Sequence, residues 1–251
     1  MQKLPLEGTF NEFVQAEGGE LIERLLPNND SRKRADYLFR SPLVIAELKC
    51  LERDIDMREH AEKLNARIAD WRHRGLIRVY GTAQIELRKL PKVCQDEWID
   101  LYEAPIQSQI LRDANRQIRE AKEALNFPDA KGVVLIANEC REFPSPPDLF
   151  TFIARIFKKK KPDGQPLFSS VHSVVIFSVN MLIASPDYPA GRLAWFNAYR
   201  GKGDDAVNAF LHNFGDSWLK FCSAKRGNTH VAVKLTREQI EALQFIKPRF
   251  E

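Results

Sequence analysis

Two continuous apolar runs constrain the fold more than any other feature of this chain. Residues 132–138 read GVVLIAN and are bounded by turn-forming residues, and residues 171–179 form a second run of the same kind. Strands with this pattern are buried on both faces, as in the centre of a sheet. Because both faces of such a sheet must be covered, we predict an α/β fold with a mixed central sheet flanked by helices.

A β-hairpin with charged residues in an apolar strand is predicted upstream of these runs. Its first strand reads RADYLF at residues 34–39, and its second reads LVIAELK at residues 43–49. Side chains alternate between the two faces of a strand, so Glu47 and Lys49 lie on the same face. Two opposite charges therefore share one face of a strand whose other residues favour burial.

The length of the hairpin loop decides which residues face each other. If residues 40–43 form a four-residue loop, Asp36 lies directly opposite Glu47. A two-residue loop at Ser41-Pro42 gives the same register, whereas an odd-length loop turns Asp36 to the other face. Facing side chains have Cβ atoms roughly 4.5–5.5 Å apart, at which two carboxylates repel each other. A divalent metal would relieve that repulsion, and an ordinary ion-pair cluster of Asp36, Glu47 and Lys49 at a sheet edge is the alternative.

Two helical patterns carry further charged candidates. Residues 9–26 have helical spacing with a break at Gly18-Gly19, and Glu23 lies close to the apolar stripe of the second half. A long helix is predicted from Pro105 to residue 126, with a basic stripe on one face formed by Arg112, Arg116 and Arg119. This stripe either binds phosphate groups or pairs with acidic residues of its own helix.

The remaining patterns complete an α/β succession. Helices are predicted at residues 56–74, 147–160, 204–222 and 236–243, and strands at residues 76–80, 84–87 and 231–235. The region 89–103 has no clear pattern. We expect a core unit over residues 1–180 and a C-terminal α/β extension over residues 181–251 that packs on it.

Composition limits the functional classes. With 251 residues and 44% hydrophobic residues the chain can bury a substantial core, and its net charge of +4 is modest for a nucleic-acid-binding protein. The positive charge is clustered, however, at residues 31–34, 71–74 and 158–161. No apolar run is long enough to span a bilayer and the N-terminus lacks a signal-peptide pattern, so we expect a cytoplasmic protein without membrane contact.

The order of these parts resembles the PD-(D/E)XK nuclease superfamily, which has the restriction-endonuclease-like fold. That family places an acidic residue on a helix, an aspartate on the next strand, and Glu-x-Lys on the strand after it. Glu23, Asp36 and Glu47-Leu48-Lys49 match in order and context, although no proline precedes the aspartate. The resemblance covers residues 9–180, and the segment around Arg116 and Gln117 is similar to the family's phosphate-contacting helix.

The resemblance implies a role for each of these residues. Asp36, Glu47 and the Leu48 carbonyl would hold Mg²⁺, for which Mn²⁺ would substitute. Lys49 would orient the attacking water and offset charge on the phosphate, while Glu23 would bind a second metal or its water. The phosphate contacts would come from the helix surface, through Arg112, Arg116, Gln117 and Arg119.

The function implied is that of a metal-dependent endonuclease or exonuclease that hydrolyses DNA, in phage defence or DNA processing. Many enzymes of this fold cut both strands as dimers, so a homodimer is compatible with the resemblance. Two alternatives remain open from the sequence. One is a non-catalytic nucleic-acid-binding or interaction protein with a degenerate nuclease fold, and the other is an RNA-specific nuclease.

Overall fold

The computed structural model describes residues 3–26, 34–51, 57–78, 89–142, 144–186, 188–202, 204–227 and 237–247. Its strands are β1 Glu20–Leu21, β2 Tyr37–Phe39, β3 Val44–Leu51, β4 Lys131–Asn138, β5 Ser173–Phe177, β6 Leu182–Ser185, β7 Tyr188–Arg192, β8 Trp195–Tyr199 and β9 Gln244–Ile246. Its helices are α1 Leu6–Ala16, α2 Ile22–Leu25, α3 Met57–His73, α4 Lys92–Pro105, α5 Arg112–Ala124, α6 Pro146–Lys158, α7 Asp205–Lys225 and α8 Arg237–Glu241, with a π-helical segment Ile106–Leu111 between α4 and α5.

The main sheet has six strands in the order β1-β2-β3-β4-β5-β8. Strands β3, β4 and β5 run parallel, whereas β1, β2 and β8 are antiparallel to their neighbours. The two apolar runs of the sequence become β4 and β5, which lie inside the sheet with every described residue but Lys131 buried. The prediction of a mixed α/β sheet flanked by helices is confirmed. A smaller sheet has the order β7-β6-β9.

Helices cover both faces of the main sheet and divide the core into two clusters. On one face, here called the site face, α4, the π-helical segment, α5 and α6 pack against Ile45, Val134 and Ile136. On the other face, α1 and α7 form an aromatic cluster against β2–β5. Strand β8 and helix α7 both come after residue 180, so the C-terminal segment supplies one edge of the main sheet and one of its covering helices.

The N-terminal helix is shorter than the sequence pattern indicated. Helix α1 ends at Ala16, and Gly18 has a φ of +77°, a left-handed conformation that glycine adopts without strain. The chain then pairs with β2 through Glu20 and Leu21 before the four-residue helix α2 begins. The prediction of a helix that resumes after the break was therefore wrong for residues 20 and 21, because pairing with the hairpin satisfies their backbone groups instead.

The long helix begins earlier than predicted. Pro105 does not open it, because α4 already runs from Lys92 to Pro105 and the π-helical segment continues directly into α5. Proline lacks the backbone N–H that would bond to the carbonyl four residues earlier, and the chain next adopts the wider π-helical turn. Such insertions in α-helices often lie at functional sites.

The other helices agree with the patterns. Helix α3 ends where Gly75, with a φ of +69°, donates to the Arg72 carbonyl at 3.0 Å, and α6, α7 and α8 lie within a few residues of their predicted bounds. The predicted strands at 84–87 and 231–235 lie outside the described residues, as do the last two residues of the one at 76–80. No helix in the described ranges is both long and apolar enough to cross a membrane.

Candidate active site

The hairpin has the register that the sequence predicted. Residues 40–43 connect β2 and β3, and the facing pairs are Tyr37 with Ala46, Leu38 with Ile45, and Phe39 with Val44. The strand pairing ends at Tyr37, and the Asp36 amide donates to the Ala46 carbonyl at 3.1 Å, which departs from the register of the preceding pairs. The Asp36 side chain nevertheless reaches the carboxylate of Glu47, as the prediction expected. The Asp36 carboxylate accepts a hydrogen bond from the Leu48 amide at 2.7 Å, which attaches it to β3.

Glu47 and Lys49 lie on the site face of β3, as the period of two requires. Glu47 is 2% exposed, and Lys49 donates to its Oε1 atom at 2.6 Å. Their neighbours on the parallel strand β4 are the apolar residues Val134 and Ile136. Lys49 retains 23% exposure of its side chain, so a buried carboxylate and a partly accessible amine stand side by side.

Gln117 joins this pair from the covering helix α5. Its Oε1 accepts from the Lys49 amine at 2.8 Å, and its Nε2 donates to the Arg34 carbonyl at 3.2 Å. Gln117 is itself buried, so these bonds are shielded from water. The sequence associated Gln117 with phosphate contacts, whereas the structure brings it to Lys49, whose amine it holds between β3 and α5.

The two carboxylates of this site repel each other, which favours protonation of one of them or binding of a cation. Burial, followed by the charge of Asp36, raises the pKa of Glu47 to about 8. Burial also raises the pKa of Asp36, although the hydrogen bond from Leu48 opposes the shift. Among the described residues no donor faces Glu47 Oε2, which lies against the Asp36 carboxylate, so the two groups can hydrogen-bond only when one carries a proton.

The same arrangement suits a hard divalent cation. Two carboxylates and one lysine leave one excess negative charge, and Glu47 Oε2 is a buried acceptor without a partner among the residues described. Carboxylate oxygens are the ligands that Mg²⁺ prefers, and Mg²⁺ sites in enzymes commonly use only one or two carboxylates together with substrate phosphate and water. Asp36, Glu47 and the adjacent Leu48 carbonyl fit that requirement.

Glu23 is not brought into this group. It is exposed on the short helix α2, and no cluster of three or more Asp, Glu, His or Cys side chains within the described ranges is arranged to hold a metal. Glu7 on α1 does act on the site, because its negative charge contributes to raising the pKa of Asp36. The sequence prediction missed Glu7 because it began the helix at residue 9, although a proline with an acidic residue two positions later is a typical helix start.

The basic stripe lies on the outer side of α5. Arg116 pairs with Glu120 at 3.7 Å and Arg119 with Glu123 at 4.0 Å, as the alternative interpretation expected, while Arg112 is exposed in the first turn. Side chains of both pairs other than Glu120 remain more than 40% exposed. Exposed pairs of this kind contribute roughly 0.2–1 kcal/mol, so the arginines can exchange their partners for phosphate groups at little cost.

Comparisons with protein-family models, with curated proteins and with solved structures found no match to this chain. Its function must therefore be inferred from the hairpin site itself. That site consists of Asp36, Glu47, Lys49 and Gln117. They come from the residue before β2, from β3 and from α5, and are linked by hydrogen bonds and by the contact between the two carboxylates.

Proposed function

We propose that this protein is a metal-dependent nuclease of the PD-(D/E)XK type that hydrolyses phosphodiester bonds in DNA. The observation that carries the proposal is the pair of carboxylates formed by half-buried Asp36 and buried Glu47, which lie against each other with Lys49 bonded to the second one. The strand order supports it, because an antiparallel hairpin leads through covering helices into a parallel strand, as in the restriction-endonuclease-like fold.

Each side chain then has a distinct task. Asp36, Glu47 and the Leu48 carbonyl would hold Mg²⁺, which when bound supplies positive charge for the phosphate and makes water easier to deprotonate. The Lys49 amine, positioned by Glu47 and Gln117, would donate hydrogen bonds to the attacking water or to a phosphate oxygen. The reaction is a direct hydrolysis, in which water bonds to phosphorus and one ester oxygen leaves.

The exposed face of α5 would guide the substrate backbone to this site. Arg112, Arg116 and Arg119 are accessible on the helix whose buried face carries Gln117. Contacts from such residues to phosphate position a nucleic acid without reading its sequence. Binding should therefore weaken steeply as the salt concentration rises.

Cleavage assays test the proposal directly. Supercoiled plasmid, single-stranded DNA and a matched RNA are incubated with Mg²⁺, Mn²⁺ or EDTA and with wild-type or Lys49→Ala protein. We expect metal-dependent cutting of DNA that falls by about a thousandfold or more in Lys49→Ala, because an interaction with the transition state is lost. Lys92→Ala is the control, since Lys92 is exposed on α4 and pairs with Asp96.

Binding measured in parallel separates catalysis from affinity. Lys49→Ala should bind DNA within about threefold of the wild type, because a residue that acts mainly in the transition state contributes little to substrate binding. Equal losses of binding and cleavage would contradict the role assigned to Lys49. Cutting of RNA without cutting of DNA would change the substrate and leave the site intact.

A non-catalytic nucleic-acid-binding protein is the second candidate. It is favoured by the absence of a third acidic ligand beside Asp36 and Glu47 in the part of the chain that the structure describes. Thermal unfolding with and without Mn²⁺ distinguishes the two. A nuclease site should be stabilised by Mn²⁺ in the wild type and not in Asp36→Asn, whereas DNA binding with no response to metal in either protein would support the second candidate.

A further inference from the structure

A pocket of about 240 Å³ lies on the site face beside the candidate active site. Its wall is formed by the end of β3, by the strands β4 and β5, and by α3, α4, α6 and the π-helical segment. Its lining includes Leu51, Lys63, Gln109, Ile136 and Arg141.

The register of the strands makes this pocket a neighbour of Lys49. Leu51 is two residues beyond Lys49 on the same face of β3, a separation of about 6–7 Å along the strand. Ile136, which also lines the pocket, is the residue of β4 directly beside Lys49. If Lys49 contacts a phosphate group, the nucleoside attached to that phosphate can therefore reach the pocket.

The lining has the chemistry of a site for a flat, uncharged ring attached to an anion. Most of its side chains are apolar, Gln109 contributes an amide, and the two charged residues, Lys63 and Arg141, are both cations. Arg141 is held in place by the buried Asn138, whose side chain accepts from the Arg141 amide at 2.9 Å and donates to its carbonyl at 2.7 Å. The apolar lining is complementary to a base, and the two cations are complementary to the phosphate groups attached to it.

The volume limits how much of a ligand the pocket can take. Pockets that enclose whole drug-sized ligands measure roughly 300–1,000 Å³, which is larger than this one. One ring system fits, whereas a base pair does not. The π-helical segment forms part of the wall, because Ile106, Gln109 and Ile110 all belong to it and all line the pocket.

We propose that this pocket receives one unstacked base of the nucleotide next to the scissile phosphate. The proposal rests on the nuclease function proposed above and deepens it, because a base can enter only from single-stranded DNA or from a locally unpaired site. Extruding a base from a duplex costs a few kcal/mol, whereas an unpaired strand requires less. The substrate class is therefore single-stranded or unpaired DNA.

Binding of small probes tests the pocket without requiring catalysis. Thymidine 5′-monophosphate, deoxyadenosine 5′-monophosphate and deoxyribose 5-phosphate are titrated in EDTA into full-length protein by NMR. We expect a nucleotide to bind about tenfold more tightly than the sugar phosphate, and Gln109→Trp, which fills the pocket from an exposed position, to abolish that difference. Ser108→Trp is the matched control, since Ser108 is exposed on the same segment and does not line the pocket. Equal affinity for all three probes in the wild type would overturn the proposal.

Cleavage of modified single strands gives a second readout. One abasic residue is moved along an oligonucleotide that has one principal cleavage position. We expect cleavage to fall about tenfold when the abasic residue is adjacent to the cut, and the fall to disappear in Gln109→Trp. Normal cleavage with no effect of the abasic residue would contradict the base-binding pocket but not the nuclease activity. Base-dependent binding of the small probes without any cleavage would instead contradict the nuclease activity but not the base-binding pocket.

Discussion

At the scale of single residues, the candidate site depends on placing two acids where neither is fully solvated. The carboxylates of Asp36 and Glu47 lie against each other at the end of the hairpin, and Glu47 is almost completely buried. Lys49 offsets one of the two charges, and the other requires a proton or a cation. Keeping this repulsion costs stability, and the proposed function gives a reason for it, because the same charges would hold a metal ion.

The stability of the metal-free protein should depend on Glu47 in a defined pH window. The pKa of Glu47 is about 8 in the folded protein and 4.5 ordinarily, so between these values the folded state holds a proton that the unfolded state has released. The contribution of Glu47 to the free energy of unfolding should therefore be fully present below pH 4.5, fall as the pH rises from 4.5 to about 8, and change little above that. Urea unfolding in EDTA at pH 5 to 9 measures this fall, and Glu47→Gln should remove much of it. Parallel pH profiles for the two proteins would contradict the assignment.

Gln117 should act as a positioning residue for Lys49. Gln117→Met keeps the approximate volume and removes both hydrogen bonds, and bonds to charged groups contribute about 1.5–3 kcal/mol. We expect kcat to fall about tenfold or more with little change in KM, because the amine loses its fixed orientation. Steady-state kinetics across pH measures both parameters, and Lys92→Ala, at an exposed position on α4, is the control. A rise in KM at unchanged kcat would indicate direct contact with substrate instead.

At the scale of elements, the site requires close contact between α5 and the central strands. Gly132 is the second residue of β4 and lies next to Ile118 of α5. A Cβ at this glycine would lie 2.0 Å from the Ser170 carbonyl oxygen and 2.7 Å from a methyl carbon of Ile118. The missing side chain lets the helix and the loop before β5 approach the sheet. The same helix carries Gln117, so the position of α5 sets the position of the Lys49 amine.

Gly132→Ala should therefore disturb both stability and the site. A clash with backbone cannot be relieved by a change of rotamer, and overpacking of this kind costs about 1–3 kcal/mol or more. Gly8→Ala is the matched control, because a Cβ at Gly8 in α1 meets nothing within 4 Å and alanine favours a helix. Urea unfolding should show a loss for the first variant and no loss for the second. Equal stability of the two proteins would show that α5 can shift without consequence.

At the scale of the whole molecule, helices α1 and α7, which are far apart in sequence, are packed together. Phe10 and Phe13 of α1 contact Phe214 and Trp218 of α7, with ring centroids between 4.6 and 6.3 Å apart. Asn180, just after β5, also donates to and accepts from the backbone of Leu4. The segment after residue 180 thus completes the aromatic face of the sheet whose opposite face carries the candidate site.

Trp218→Ala should destabilise the molecule as one unit. Trp218 is fully buried, and replacing a buried tryptophan with alanine costs about 3–5 kcal/mol. We expect hydrogen exchange to accelerate in α7 and equally in the amides of β3, which lies under the same cluster. Ile240→Ala, at an exposed position on α8, should change neither. Faster exchange confined to α7 would show that the C-terminal segment unfolds separately from the core.

Local sequence determined the parts of this protein in which the interacting residues are close along the chain. The hairpin register, the pairing of Glu47 with Lys49 and the burial of β4 all follow from periods and loop lengths within a few residues. Only the tertiary structure decided three other features. These are the contact of Lys49 with Gln117, 68 residues away, the effect of the Glu7 charge on Asp36, and the pairing of β8 with β5 at the sheet edge. The local patterns of these segments are compatible with several tertiary arrangements. The packing of helices on both faces of the sheet selects one of them.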